Sequence, residues 1–213
     1  MKLVIIGQGN VGTNLYEGFR RKGIDTTLCS SRGTLEDIPN TADVYIYAVR
    51  DNALAEVVNR VHVQTRALHL HTSGTMPIDI FGEDKPHAGI LYPFQSFSKS
   101  HLIEDFSHIP FIIEARGIDD IAAVYSLALL LSTHIIEANQ ADRERLHVAG
   151  VFVNNFSNQM YSIAEDLLHG THIPFQTLLP LIDETAQKVH TLSPREAQTG
   201  PARRGDIAVM EHH

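Results

Sequence analysis

The six residues GQGNVG, Gly7 to Gly12, follow directly on the β-rich run KLVII (2–6) and open a helical pattern from Val11 to about Arg21. Strand, glycine turn, helix: no other feature restricts the first half of the chain as much. Gly7 permits the tight turn, Gly9 lets backbone come close to a bulky group, and Gly12 lets the helix lie close on its strand. The helix start then offers backbone amides and the positive end of a dipole to an anion. In this setting the pattern reads as a dinucleotide pyrophosphate site formed by Gly7, Gln8, Gly9, Asn10, Val11 and Gly12.

Further β-rich runs cover 26–30, 44–49 and 67–71, with a helix over 53–61 for which Asp51 is the expected N-cap. Strands alternating with helices predict an α/β fold with a doubly wound, mainly parallel sheet. Residues 90–92, 110–114 and 135–137 read as later strands, and 119–132 as an apolar helix. From Gln140 the texture becomes all-helical: one run reaches about His169, where Gly170 stops it, and another covers roughly 175–192. The expected division is a dinucleotide-binding domain over 1–138 and a smaller helical domain over 139–213. One connection is short. Ten residues, Gly33–Ala42, join the second and third strands, where a parallel crossover needs about a dozen or more. Either the crossover helix is vestigial or residues are missing after Arg32. The ending VMEHH (209–213) reads as a tag remnant or a cut before a final helix.

Composition narrows the function classes. A net charge of −8 without a basic run argues against a nucleic-acid surface. The single cysteine, Cys29, excludes an internal disulfide and a Cys-rich zinc site, and it suits a cytoplasmic compartment. No apolar run is long enough to span a membrane, and the apolar N-terminus is too short for a signal peptide.

About twenty residues beyond the glycine turn, an acid would hold a free ribose 2′-hydroxyl. This chain has Ser30, Ser31 and Arg32 instead. Hydroxyls and a guanidinium suit a 2′-phosphate, so NADP is expected, with Val49 as a further cofactor contact. The alternative for Arg32 is a solvated loop residue.

The segment HLHTSGT (69–75) ends a strand with Ser73-Gly74 at the carboxyl edge, where doubly wound sheets bind ligands, and LYPFQSFS (91–98) places Gln95 similarly. Ser73 is otherwise a turn former and Gln95 a strand-end amide. His69 and His71 face one side of their strand, and two histidines without a third ligand do not make a metal site. In TGPARRGD (199–206), which reads as an aperiodic loop, Arg203 and Arg204 either close over an anionic substrate or belong to a solvated tail with a buried Arg–Asp pair.

Taken in order, GQGNVG, HTSGT, LYPFQSFS, VFVNNF and TGPARRGD resemble, over nearly the whole chain, a family of Rossmann-type NADP-dependent oxidoreductases with a C-terminal helical domain of unknown function. That family is similar to pyrroline-5-carboxylate reductase, the deazaflavin-dependent NADP oxidoreductases and the β-hydroxyacid dehydrogenases. The resemblance implies hydride transfer to or from a small, anionic carbonyl, hydroxy or imino acid, a cleft between the domains, and a homodimer through the helical domain. In β-hydroxyacid dehydrogenases a catalytic lysine shortly precedes an Asn pair. The pair matches Asn154 and Asn155, but the lysine position falls on Val151, which cannot donate a proton. The Ser-Gly that holds substrate carboxylate there matches Ser73 and Gly74.

On an α-helix, with His147 at zero, Asn154 lies at about −20°, Asn158 at about +20° and Arg143 at about −40°, a single stripe. Val151, at about +40°, fills the gap, and Asn155, at about +80°, lies on the flank. A histidine one turn before the missing lysine reaches the same space, and histidine suits proton transfer near neutrality. The expected catalytic residues are therefore His147, Asn154 and Ser73, with Gly74, Gln95, Asn155, Asn158, Arg203 and Arg204 on the substrate. Two alternatives stay open. The stripe otherwise serves helix packing or a dimer partner, and Val151 favours a non-catalytic NADP-binding regulatory module.

Overall fold

The computed structural model describes residues 1–35, 37–63 and 66–212. The chain divides into two compact units, Met1–Asn155 and Phe156–His213. The first takes in the helix that follows Asn139 as well as the sheet.

The first unit contains β1 (Lys2–Ile6), α1 (Asn10–Arg21), β2 (Asp25–Cys29), β3 (Val44–Tyr47), α2 (Asp51–Arg60), β4 (Leu68–His71), β5 (Ala88–Pro93), β6 (Phe111–Ala115), α3 (Ile118–Leu129), β7 (Ile135–Glu137) and α4 (Gln140–Gly150). They build a seven-stranded sheet in the order β2-β1-β3-β4-β5-β6-β7. Every pairing is parallel except β5 with β6. The chain leaves β1 toward β2 and returns on the other side with β3. Ligands of such sheets settle at this reversal, outside the carboxyl ends of the strands.

The apolar run KLVII is buried on both faces, as a central parallel strand requires. Leu3 and Ile5 join Leu15 and Phe19 of α1 and Val124 and Leu127 of α3 in one layer. Val4 and Ile6 join Leu54, Val57 and Val58 of α2 in the other. Each such side chain taken out of water contributes about 1.5–3 kcal/mol.

The short crossover has no helix among the described residues. Leu35, Ile38 and Ala42 bury themselves in the α2-side layer instead, and the Tyr45 hydroxyl donates to Pro39 O and accepts from Ala42 N. A looped chain thus fills the volume a crossover helix would occupy.

Asp51 does not cap α2. Arg50 holds the N-cap position without a side-chain bond, and the Asp51 carboxylate accepts from Thr75 Oγ1 at 2.8 Å. Sitting in the first turn, it still complements the helix dipole.

The run expected as one helix from Gln140 changes type along its length. Asn139 caps α4 by accepting from Asp142 N; a π-helical turn covers Val151–Phe156; α5 follows at Ser157–Leu168. The rest of the second unit holds a 3₁₀ turn at Phe175–Leu178 and α6 (Leu179–Lys188), α7 (Pro194–Ala197), α8 (Pro201–Arg204) and α9 (Ile207–His212). The second helix is therefore shorter than expected: Ser193 opens α7 with a capping box to Glu196. Segment 199–206 is not an aperiodic loop either. Pro201 presets the first helical residue of α8, and Gly205, left-handed at φ +66°, ends it.

No described residue of α5 to α9 is buried. Among the described residues, no helix is long and apolar enough to cross a membrane.

Candidate active site

The glycine turn shows why each of its glycines is there. Gly7 adopts φ +121°, and a Cβ on it would run into Ala48 O; a Cβ on Gly12 would run into Gly7 O. The protein's own packing demands both. Gly9 differs: its φ of −76° suits any residue, and a Cβ would find no atom nearer than Ala48 O at 3.9 Å. Nothing inside the protein requires glycine at this position, so the missing side chain leaves space for something arriving from outside. Gly9 is also the N-cap of α1, with no side-chain cap bond. The first-turn amides and the dipole thus face that space, as a pyrophosphate requires.

Neighbouring loops wall the turn. Gly7 N donates to Cys29 O at 2.9 Å, which brings the end of β2 alongside. Beyond it, the Ser30 hydroxyl bonds both N and O of Arg32, folding a compact turn that carries Ser31 and the exposed Arg32. Val49 Cγ1 would stand 3.1 Å from a Gly7 Cβ. On another side, Asn10 Oδ1 accepts from Lys99 N. The fully buried Asn14 amide donates to Asn10 O and Ser98 O and accepts from Ile103 N. The Gly7–Gly12 turn offers the backbone donors that a pyrophosphate needs, and Ser30 to Arg32 the hydroxyls and guanidinium that a phosphorylated ribose needs.

A cavity of about 250 Å³ opens in the same unit, lined by Tyr92, Phe94, Gln95, His147, Asn154 and Asn155 among others. It falls just below the roughly 300–1,000 Å³ of pockets for drug-sized ligands. Gly150 presses on Phe94, where a Cβ would stand 2.7 Å from Cε2. Val151 lines the cavity at the position where the β-hydroxyacid dehydrogenase resemblance would put a lysine. The α-helical angles placed Asn155 on the flank, away from Asn154. The π turn, with its wider i→i+5 spacing, turns both amides into one cavity, and such turns recur at functional sites.

Arg143 leaves the expected stripe. It is completely buried, donates from Nη1 to Gly74 O at 3.2 Å and Met76 O at 3.1 Å, and pairs through Nη2 with Glu114 at 3.0 Å. One turn before His147, it clamps the Ser-Gly turn onto α4.

Ser73 and Gly74 are absorbed by that turn. The Ser73 hydroxyl accepts from Thr75 N and Met76 N, while Ser73 N donates to His71 Nδ1 at 3.2 Å. His71 is therefore the neutral tautomer, and burial holds its pKa down to about 4. A Cβ on Gly74 would meet His147 Nδ1 at 2.7 Å and Tyr92 Cζ at 2.9 Å. Glycine stands there because two rings lie on it. Gln95 turns its Oε1 back to Ser96 N.

Sequence reasoning missed Tyr92. Its Oη lies 3.1 Å from His147 Nδ1, and its ring meets Phe94 edge-on. Burial raises the phenol pKa, and the charge of Asp51 adds to the effect. Tyr92 lies within LYPFQSFS, at the same strand edge as Gln95, but a strand tyrosine reads as a β-former.

Asn158, Arg203 and Arg204 belong to the second unit. Asn158 is exposed on α5. Arg203 does not form a buried pair with Asp206: it donates to the carbonyls of Glu196 and Gln198 at 2.6 and 2.7 Å. Arg204 is exposed.

Residues 109–213 match a domain of unknown function (DUF2520). No curated protein matches the chain. A candidate NADP oxidoreductase from Bacteroides fragilis is 38% identical, with a TM-score of 0.91, covering 100% of this chain and 89% of that one. A Thermotoga maritima protein, 21% identical, has a TM-score of 0.80 over 99% of this chain and 88% of its own. A reductive aminase from Aspergillus terreus, solved with NADPH and ethyl-5-oxohexanoate, shares the fold at 13% identity and a TM-score of 0.65, over 89% of this chain and 73% of that one.

Proposed function

The chain belongs to the family of Rossmann-type NADP oxidoreductases with a C-terminal helical domain, and from that membership we propose that it reduces or oxidises a small carbonyl, hydroxy or imino acid in the cavity beside His147. The observation that carries the reading is Gly9, at the N-cap of α1, where a Cβ would have room within the protein and the missing side chain leaves space beside the first-turn amides. Gly7 to Gly12 hold the pyrophosphate, and Ser30, Ser31 and Arg32 hold the 2′-phosphate. The bound cofactor supplies the hydride. The chain supplies the rest: His147 and Asn154 orient or protonate the reacting group, Asn155 and Gln95 hold its polar substituents, and Phe94 keeps water away.

The protein acts as a homodimer through the helical unit. Met160, Leu167, Leu181 and Ile207 of that unit are all more than half exposed, the kind of side chain that a partner subunit would cover.

A second reading rests on Val151, which leaves the cavity without the lysine amine: a regulatory module that binds NADP and performs no chemistry. Titration with NADPH and a panel of small oxo and imino acids separates the two. Under the enzyme reading, His147→Ala keeps NADPH affinity and loses turnover. Tight NADPH binding with no turnover of any candidate by the wild type supports the module.

A further inference from the structure

We propose that Tyr92 is the proton donor of the reaction and that His147 is the group that recharges it. The proposal rests on the reading of the cavity as the place of reduction.

Of the cavity-lining side chains, Tyr92, Ser96 and His147 carry an exchangeable proton other than an amide's. His147 Nδ1 faces Tyr92 Oη at 3.1 Å, so a proton on that nitrogen reaches the cavity only through the phenol oxygen. The pair is held rigidly. The two rings lie on the backbone of Gly74, Phe94 meets Tyr92 edge-on at 6.0 Å between ring centres, and Arg143 fastens Gly74 O from one turn below His147. Tyr92 also sits on a strand of the sheet, the kind of element that positions a reacting atom well.

In the reductive direction the substrate carbon receives the hydride, and its oxygen or nitrogen becomes strongly basic. That atom takes the proton from Tyr92 Oη: the phenol O–H bond breaks as the new bond forms. The phenolate then takes the Nδ1 proton of the His147 imidazolium, and the neutral imidazole left behind regains a proton from water. Two charged groups bear on the phenol: Asp51 at the start of α2 opposes its ionisation, and Arg143 of α4 favours it. On the β4 side, His71 is buried and neutral. The anion formed by hydride addition is far more basic than a phenolate, so a phenol that resists ionisation in the resting protein still donates.

The test compares wild type with Tyr92→Phe, using the oxo and imino acid panel and ¹⁵N-histidine NMR of the NADPH-bound protein, with His147→Gln identifying the His147 signals. The expected result is NADPH affinity unchanged within twofold, KM little changed and kcat lower by about 10²- to 10⁴-fold, the usual worth of a positioned acid. The His147 Nδ1 resonance moves in Tyr92→Phe. A kcat within threefold of wild type, or His147 signals that ignore the substitution, overturns the donor and leaves the enzyme reading standing. If the wild type binds NADPH and turns over nothing, the cavity reading falls and Tyr92 falls with it.

Discussion

Tyr92 Oη and His147 Nδ1 meet at 3.1 Å across 55 residues of sequence, and Gly74 is the floor on which both rings rest. A methyl group there strikes ring atoms on both sides. Gly74→Ala is therefore expected to destabilise the protein by about 1–3 kcal/mol, the range for overpacking, and to cost turnover by parting the rings. NADPH affinity stays near wild type, because the glycine cradle is elsewhere. Urea denaturation and cofactor titration on one preparation check both halves; normal stability with normal turnover contradicts the packing.

Gly9 and Gly12 separate ligand approach from internal packing. Gly12→Ala drives a methyl into Gly7 O and is expected to unfold the turn, lowering the melting temperature. Gly9→Ala has room for its methyl within the protein, so stability shifts by less than about 0.5 kcal/mol. NADPH affinity drops by about tenfold or more, or about 1.4 kcal/mol. Equal affinity in wild type and Gly9→Ala would leave that glycine unexplained.

The buried pair of Arg143 and Glu114 has unequal partners. Side-chain exposure is 0% for the arginine and 22% for the glutamate. Glu114→Ala strands a buried cation, a change that costs about 3–5 kcal/mol in fully buried pairs and here falls at the lower end. That corresponds to a melting temperature lower by roughly 6–12 °C for a chain of this size. Arg143→Met leaves the glutamate near water and fills the space with hydrocarbon, so it costs less in scanning calorimetry. The reverse ranking would show that the arginine acts through packing rather than charge.

His69 and His71 make stability depend on pH. Burial lowers both to about 4 from an ordinary 6.5. As the pH falls below 6.5 the unfolded chain takes up protons that the folded one refuses. Their stabilisation is thus complete above about pH 6.5 and lost progressively down to about 4. Each contributes a loss of about 2 kcal/mol between neutrality and pH 5. Urea midpoints at pH 7.5 and pH 5 should differ accordingly, and His69→Gln should remove about half of the difference. A flat profile contradicts the buried neutral histidines.

The sheet was legible because its central strands are apolar runs covered on both faces, and the cradle because Gly7 and Gly12 answer packing requirements of the turn while Gly9 leaves space beside them. Other features depend on distant contacts. Asp51 suits an N-cap or a first turn equally well, and Thr75, far along the chain, decides between them. VFVNNF carries no residue that distinguishes a π turn from an α turn, so the angle between Asn154 and Asn155 could not be read from spacing. Tyr92 gains its meaning only once α4 lies across the strand ends. In α8 the signals were present, Pro201 and Gly205, but four residues are too few to show periodicity.

Under the proposed function, Gly7 to Gly12 with Ser30, Ser31 and Arg32 form an NADP site. Titrating NADPH and NADH by cofactor fluorescence into wild type and Arg32→Ala tests it most directly; the chain has no tryptophan to interfere. Wild type should prefer NADPH by tenfold or more, about 1.4 kcal/mol, and Arg32→Ala should erase that preference while leaving NADH affinity in place. Equal affinity for the two cofactors, unchanged by the substitution, would contradict the assignment.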